Sequence, residues 1–315
     1  MSIKYGVMKI RIFDKWIPDN DKQDSGKGKK IWLTNPNNNN DGWFKYVKKT
    51  CEKNNKYNCT ETIETFENVS EKIAELIATK IKLPCAKIEI GTYYGEIGCL
   101  SYNILSKNKT MAEGISYISR RYKNYDIKEE RDVETEKYYC LEIVLNSLDN
   151  IELRNHFFKI MIFDFIIGNS DRHSNNWAII KKHKEKECFA PIYDNGSSLC
   201  ALIKENQIKD YLLSRDKMKF NALIDTSSRS LVRIDGKCRK KPTHKESVQY
   251  LHDNFYNETK DFVKLIIQKL NEKTLENILN SVKEYISDNR YQLIKKYLLN
   301  KIVILKNIYK ERWLL

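Results

Sequence analysis

The sequence lacks several features that would have narrowed its chemistry in other directions. No apolar run approaches the ~18 uninterrupted residues needed to cross a bilayer, so no membrane span is expected. The opening Met1-Ser-Ile-Lys-Tyr5 has no basic-then-apolar signal pattern, which points to a cytoplasmic protein. The eight cysteines form no Cys-x-x-Cys pair, and no His sits at zinc-like spacing from a cysteine pair. Reduced, structural thiols are expected throughout, and Cys85 and Cys188 lie in apolar runs where a thiol serves as a small hydrophobe. No internal repeat occurs, and no G-x-G-x-x-G loop. The one low-complexity tract is the asparagine-rich turn at 35–40.

What is present is a globular composition, 41% hydrophobic and 31% charged over 315 residues, enough to bury one large core or two packed lobes. The net charge of +14 invites a nucleic-acid reading. Lys, Asn, Ile and Tyr are abundant together, however, as an AT-rich coding sequence would produce. The lysines are also dispersed rather than gathered into a stripe, so direct nucleic-acid binding is not expected. A phosphate-rich ligand or an acidic partner fits the charge equally well.

Along the chain, strands are expected at Tyr5–Phe13, Ile31–Thr34 and Trp43–Val47, the last two forming a hairpin around the turn at 35–42. Residues 67–82 carry Val69, Ile73, Leu76, Ile77 and Ile81 at helical spacing and stop before Pro84. Two more strands are expected at Cys85–Glu89 and Glu96–Tyr102. After residue 105 the pattern turns helical, most strongly at 138–148 and 153–167. A β insertion at 177–180 and 188–192 interrupts it around a basic turn, Lys181–Lys186. Amphipathic helices then run near 259–270, 274–287 and 291–311.

The stretch Gly168-Asn-Ser-Asp-Arg-His-Ser-Asn-Asn176 carries the chemistry. It follows a long apolar helix, so its polar side chains emerge from the end of a rigid element. Phosphoryl transfer needs a group to hold the nucleophile, oxygen ligands for Mg²⁺ and a cation on the phosphates. Asp171 could accept a proton from a substrate hydroxyl. Asn176 lies five residues on, the interval between Asp and Asn in the protein-kinase H-R-D-x-x-x-x-N loop, and its amide oxygen is a hard ligand suited to Mg²⁺. A hairpin of 177–180 with 188–192 would carry Asp194 back beside Asn176 as the second ligand, with Gly196 allowing the following backbone to turn. His173 is read as orienting the loop. Taken singly, each of these residues could be a helix cap, a turn former or a surface ion pair.

Phe163-Asp-Phe-Ile-Ile-Gly-Asn-Ser-Asp-Arg-His-Ser-Asn-Asn-Trp177, with Ala190-Pro-Ile-Tyr-Asp-Asn-Gly-Ser-Ser198, resembles the HipA-like serine/threonine kinases, and most of all their short forms. The match is dense over about 155–200. Gly98-Cys-Leu-Ser-Tyr-Asn103 and Pro242-Thr-His-Lys-Glu246 are also similar to sequences of that family. The resemblance implies an α+β, two-lobed protein-kinase-like fold, with a β-rich nucleotide-binding lobe at 1–105 and a larger helical catalytic lobe at 106–315. It implies ATP and Mg²⁺, with Asp171 as base and Asn176 and Asp194 as metal ligands. Lys45 matches the strand lysine on the nucleotide phosphates, with Lys48 as competitor. Its acidic partner is expected to be Glu71, or Glu75 one turn on.

The loop Ser25-Gly26-Lys-Gly28 could cover the phosphates, and Ser25 is a candidate autophosphorylation site by analogy with some HipA-like kinases. A protein substrate with a Ser or Thr hydroxyl is implied. Within the toxin–antitoxin members of the family, a small helix-turn-helix antitoxin would be a partner. Phosphatidylinositol kinases share a similar loop, so a lipid or small-molecule kinase is an alternative, and a pseudokinase or basic binding module is another.

Overall fold

The computed structural model describes residues 10–22, 28–54, 59–106, 108–182, 186–213, 218–227 and 229–310. The first half of the chain supplies β1 (Arg11–Ile12), β2 (Ile17–Pro18), β3 (Lys30–Thr34), β4 (Asp41–Tyr46), β5 (Lys49–Asn54), β6 (Cys59–Glu64), α1 (Glu67–Lys80), β7 (Ile88–Tyr93) and β8 (Glu96–Tyr102). Six of these strands form one sheet in the order β1-β7-β8-β4-β3-β2, with β1 parallel to β7 and the other neighbours antiparallel. β5 and β6 form a separate hairpin that leads into α1.

Alternation along β4 sorts its side chains. Phe44 is buried with Phe13, Leu33, Tyr93 and Leu100 on one face of the sheet. Lys45 projects from the other face, in register with Cys99 of β8 and facing α1. The asparagine-rich segment closes the β3–β4 hairpin as its composition foretold.

The second half adds β9 (Lys109–Glu113), α2 (Gly114–Arg121), β10 (Tyr125–Asp126), β11 (Arg131–Asp132), α3 (Leu141–Ser147), α4 (Ile151–Ile167), β12 (Ala178–Lys182) and β13 (Cys188–Phe189). Then follow α5 (Ile208–Leu213), α6 (Met218–Asp225), α7 (His244–Asn254), α8 (Tyr256–Lys269), α9 (Glu272–Ser281) and α10 (Asp288–Lys310). From Phe157 onward α4 is apolar nearly all round, as expected of a buried helix segment: Phe157, Ile160, Ile162, Phe163, Phe165, Ile166 and Ile167 are all fully covered. It packs on α7, α8 and α10. The large core continues from these helices into α1 through Ile73, Ala74 and Ile77. Among the described residues no helix is long and apolar enough to cross a membrane.

Several expectations shift. The strand expected at Cys85–Glu89 begins at Ile88 and runs to Tyr93, while Cys85 makes only an isolated bridge to Ile192. The helical pattern assigned after residue 105 contains three short strands, β9 to β11. β9 pairs along the whole of β12, so the expected hairpin becomes a three-stranded sheet, β13-β12-β9. Cys188 is exposed at the sheet edge rather than buried, and Cys85 is half-buried. The strand expected from Tyr5 is described only at Arg11–Ile12, and part of the basic turn at 181–186 lies outside the described residues.

Candidate active site

α4 ends at Gly168, whose φ of 69° is left-handed backbone that costs glycine little. The N–H groups of Gly168 and Asn169 both return to the Asp164 carbonyl, so the chain leaves the helix in a fixed direction. The Asn169 side chain continues the turn. Its Oδ1 accepts from the Asp171 N–H at 3.1 Å, and its Nδ2 donates to Asp164 Oδ1 at 3.2 Å. Asp171 therefore stands exposed on a turn whose supports are buried.

Arg172 is the centre of this region, with 1% of its surface exposed. Its Nε and Nη2 grip both oxygens of Asp164 at 2.9 and 2.8 Å. Nη1 donates to the carbonyls of Asn176 at 2.8 Å and Tyr193 at 3.0 Å, and Nη2 also donates to Asn195 Oδ1 at 2.7 Å. One guanidinium thus ties α4, the Asp171 loop and the Tyr193–Asn195 segment together. Burial pulls the Arg172 pKa down, and the Asp164 carboxylate outweighs it and holds the pKa above its ordinary value. Sequence reasoning left Arg172 without a role and passed over Asp164. The signal was an acidic residue inside Phe163-Asp-Phe-Ile-Ile167, since a carboxylate in an otherwise apolar, buried stretch needs a buried cation.

His173 accepts a hydrogen bond at Nδ1 from the Asn175 N–H at 3.2 Å, in keeping with an orienting role. Asn176 is buried and donates its Nδ2 to the Asp171 carbonyl at 2.7 Å, which leaves Oδ1 as its uncommitted oxygen. The hairpin returns the chain, the Ala190 N–H meeting the Ala178 carbonyl at 2.9 Å. Asp194 follows with a φ of 57°. The sharp turn falls on Asp194 itself and not on Gly196. Gly196 lies close to α1 instead: a Cβ there would stand 3.2 Å from the Cβ of Glu67, a tight contact with the first turn of that helix.

Lys45 is where the sheet meets this loop. Its Nζ donates to Glu71 Oε1 at 2.5 Å and to Asp194 Oδ1 at 2.9 Å. Glu71 is 2% exposed. Burial alone would lower the Lys45 pKa, but the carboxylates of Glu71 and Asp194 hold it well above its ordinary value, so the ammonium is charged. Lys45 in turn draws the Asp194 carboxyl below the usual range. Glu75 instead pairs with Lys72, and Lys48 lies beside Glu67 at 3.8 Å. Gly28 is exposed beside β3, with open space where a Cβ would stand. Ser25 and Gly26 lie outside the described residues.

The donor set suits Mg²⁺. Asp194 and Asn176 Oδ1 offer hard oxygens, and magnesium is commonly held by one or two protein oxygens, with substrate phosphates and water completing its octahedron. Among the described residues no cluster of three or more His, Cys, Asp or Glu side chains forms a self-sufficient metal cage.

A model of the HipA-like C-terminal domain matches residues 118–289, and the chain belongs to that family. The serine/threonine-protein kinase CtkA of Helicobacter pylori is 28% identical over 178 residues, covering 53% of this chain and 50% of that protein. The chain therefore spans about half the length of the curated relative it matches. The crystal structure of the Helicobacter pylori proinflammatory kinase CtkA superposes with a TM-score of 0.77 at 20% identity, over 96% of this chain and 99% of that one. The fold is that of this kinase. A HipA of Shewanella oneidensis, solved with HipB and operator DNA, aligns at a TM-score of 0.43 and 11% identity, over 92% of this chain and 66% of that one.

Proposed function

We propose that the protein is an ATP-dependent kinase that phosphorylates a serine or threonine hydroxyl, with Asp171 as base and Asn176 and Asp194 as Mg²⁺ ligands. The observation that carries this reading is Lys45, held by Glu71 of α1 on one side and by Asp194 on the other. A strand lysine, a helix glutamate and a carboxylate following the catalytic hairpin are the three parts that must come together in protein kinases. The family membership and the relative named a serine/threonine-protein kinase support the same chemistry.

ATP with Mg²⁺, when bound, supplies the γ-phosphoryl group and a metal that neutralises charge on its oxygens. Lys45 steadies the α- and β-phosphates, and Glu71 fixes the lysine in place. Asn176 Oδ1 and the Asp194 carboxylate hold the metal. Asp171 aligns the acceptor hydroxyl and takes its proton, and the Asn169 and Arg172 contacts fix the backbone from which that carboxylate projects. The two lobes are taken as 1–105 and 106–315, with the nucleotide between them. The resemblance to HipA-type toxins extends the proposal to a cytoplasmic toxin with a small helix-turn-helix partner, which co-purification with the neighbouring gene product would test.

The primary test is labelled phosphotransfer from ATP by the purified protein, in lysate and with lipid and aminoglycoside acceptors as separate arms. Wild type should label protein, and Asp171→Ala should fall by roughly a hundredfold or more while ATP binding is kept. Undiminished transfer by Asp171→Ala would remove Asp171 from its role. Labelling confined to lipid or aminoglycoside would move the substrate assignment.

A further inference from the structure

Between Asp194 and α5 the chain makes a tight turn that the chemistry above leaves unused, and α1 begins against it. Leu199 and Cys200 take φ values of 51° and 61°, left-handed backbone that residues other than glycine disfavour. The turn is tied on two sides. The Leu199 N–H donates to the Ile167 carbonyl, at the end of α4, at 2.8 Å. Toward the sheet, Ser70 Oγ of α1 donates to the Ser198 carbonyl at 3.1 Å, and the Phe66 N–H donates to the Ala201 carbonyl at 3.2 Å. Phe66 is the residue from which α1 starts, and its own side chain provides no cap.

Arg290, the third residue of α10, closes this turn from the core, and its side chain is fully covered. Nη1 donates to the Cys200 carbonyl at 3.1 Å, Nη2 to the Ile203 carbonyl at 2.6 Å, and Nε to Glu205 Oε2 at 3.0 Å. The same guanidinium lies 3.7 Å from the centre of the Phe66 ring, where cation and ring attract. A planar fork can meet two carbonyls, a carboxylate and an aromatic face together, and a lysine ammonium cannot. Ser287 accepts the Arg290 N–H at 3.1 Å and donates to Glu205, so the start of α10 is fixed to the same turn.

α1 carries the effect to the site. The Ser70 N–H closes the first helical turn on the Phe66 carbonyl at 2.9 Å, and the next residue, Glu71, holds Lys45. Moving that turn by about 1 Å would take the Glu71–Lys45 contact out of hydrogen-bond range. We propose that Arg290 is a positioning residue: by clamping the 200–205 turn against the Phe66 ring, it seats the first turn of α1 and so holds Glu71 on Lys45. The consequence for nucleotide binding rests on the kinase reading, and the seating of α1 does not.

Hydrogen exchange and calorimetric titration with Mg²⁺·ATP, both on the full chain, test it. Arg290→Lys keeps a cation and loses the fork. Phe66→Leu, at a half-buried position, removes the ring and leaves the three Arg290 hydrogen bonds in place, so it decides the matter if Arg290→Lys does not fold. In both variants exchange at the Ser70 and Glu71 amides should quicken severalfold while the Phe163–Ile167 amides of α4 keep their protection. ATP should bind roughly threefold to tenfold more weakly. In a Glu71→Gln background Phe66→Leu should cause no further loss of ATP affinity, because its effect runs through Glu71. Unchanged exchange at Ser70 and Glu71 in Phe66→Leu would overturn the proposal. So would exchange that rises equally in α1 and α4, with a loss of ATP affinity that adds to that of Glu71→Gln. If wild type binds no ATP but α1 exchange follows both variants, the kinase reading fails and the clamp stands.

Discussion

The loop that carries Asp171 and the cluster around Lys45 adjoin at Tyr193–Asn195 but are held in different ways. Arg172 is 1% exposed and uses its donors on Asp164, Asn176, Tyr193 and Asn195, every contact inside the protein. Lys45 keeps a quarter of its side chain exposed, and Asp194 about half. The first is a framework whose partners are fixed and dry. The second is a set of charges at the solvent edge, where a phosphate or a metal can compete for the same atoms. The difference separates a part of the site fixed by buried contacts from a part whose charged atoms stay open to exchange.

The largest effect should come from the framework. Arg172→Met leaves the Asp164 carboxylate buried without its cation, and removing one partner of a buried pair costs about 3–5 kcal/mol. Urea unfolding measures it, and a loss below about 1 kcal/mol would mean the network is not what holds the loop. The lysine side should give a smaller and separable effect. Lys45→Met strands the Glu71 carboxylate, which should cost about 1–3 kcal/mol and weaken ATP binding roughly tenfold or more. Adding Glu71→Leu should recover stability but not affinity. Recovery of both would show that Lys45 serves the fold alone.

The smallest effect concerns acid. Lys45 holds the Asp194 carboxyl below its ordinary pKa. That contribution is therefore complete above the unfolded value near ~4 and is lost as pH falls through the lower folded value. Wild type should exceed Asp194→Asn in melting temperature at neutral pH, with the gap closing in strong acid. Asp194 is half-exposed, so solvent screening keeps the gap small. A constant gap across that range would detach Asp194 from Lys45.

Local patterns carried much of this arrangement. Helical spacing from Glu67, the Pro84 stop and the asparagine-rich turn located α1 and the β3–β4 hairpin to within a few residues. Alternation in Trp43-Phe-Lys-Tyr46 put Lys45 on the face opposite Phe44, and the structure brings it to Glu71, as the family resemblance implied. What stayed hidden was non-local. β9 is a short polar strand whose pairing with β12 is decided some 70 residues away in sequence, and nothing in Lys109–Glu113 announces it. Gly196 looked like a turn former because glycine usually is one, but Asp194 takes the turn and Gly196 lies close to α1 instead. Cys188 looked like core from its neighbours, but strand alternation turns it outward while Phe189 goes in.

One feature of the fold bears on how such a chain can drift through evolution. The segment that carries Asp194 is joined to the first half of the chain by main-chain bonds. The Ala86 N–H donates to the Ile192 carbonyl at 2.8 Å, the Ile192 N–H to the Pro84 carbonyl at 2.9 Å, and the Phe66 N–H to the Ala201 carbonyl at 3.2 Å. Side chains can be replaced at every one of these positions without removing a donor or an acceptor, unless proline enters at a donor. A seam written in backbone is nearly invisible to selection on residue identity. The likeness of fold at 20% identity shows that this architecture tolerates wide change in sequence.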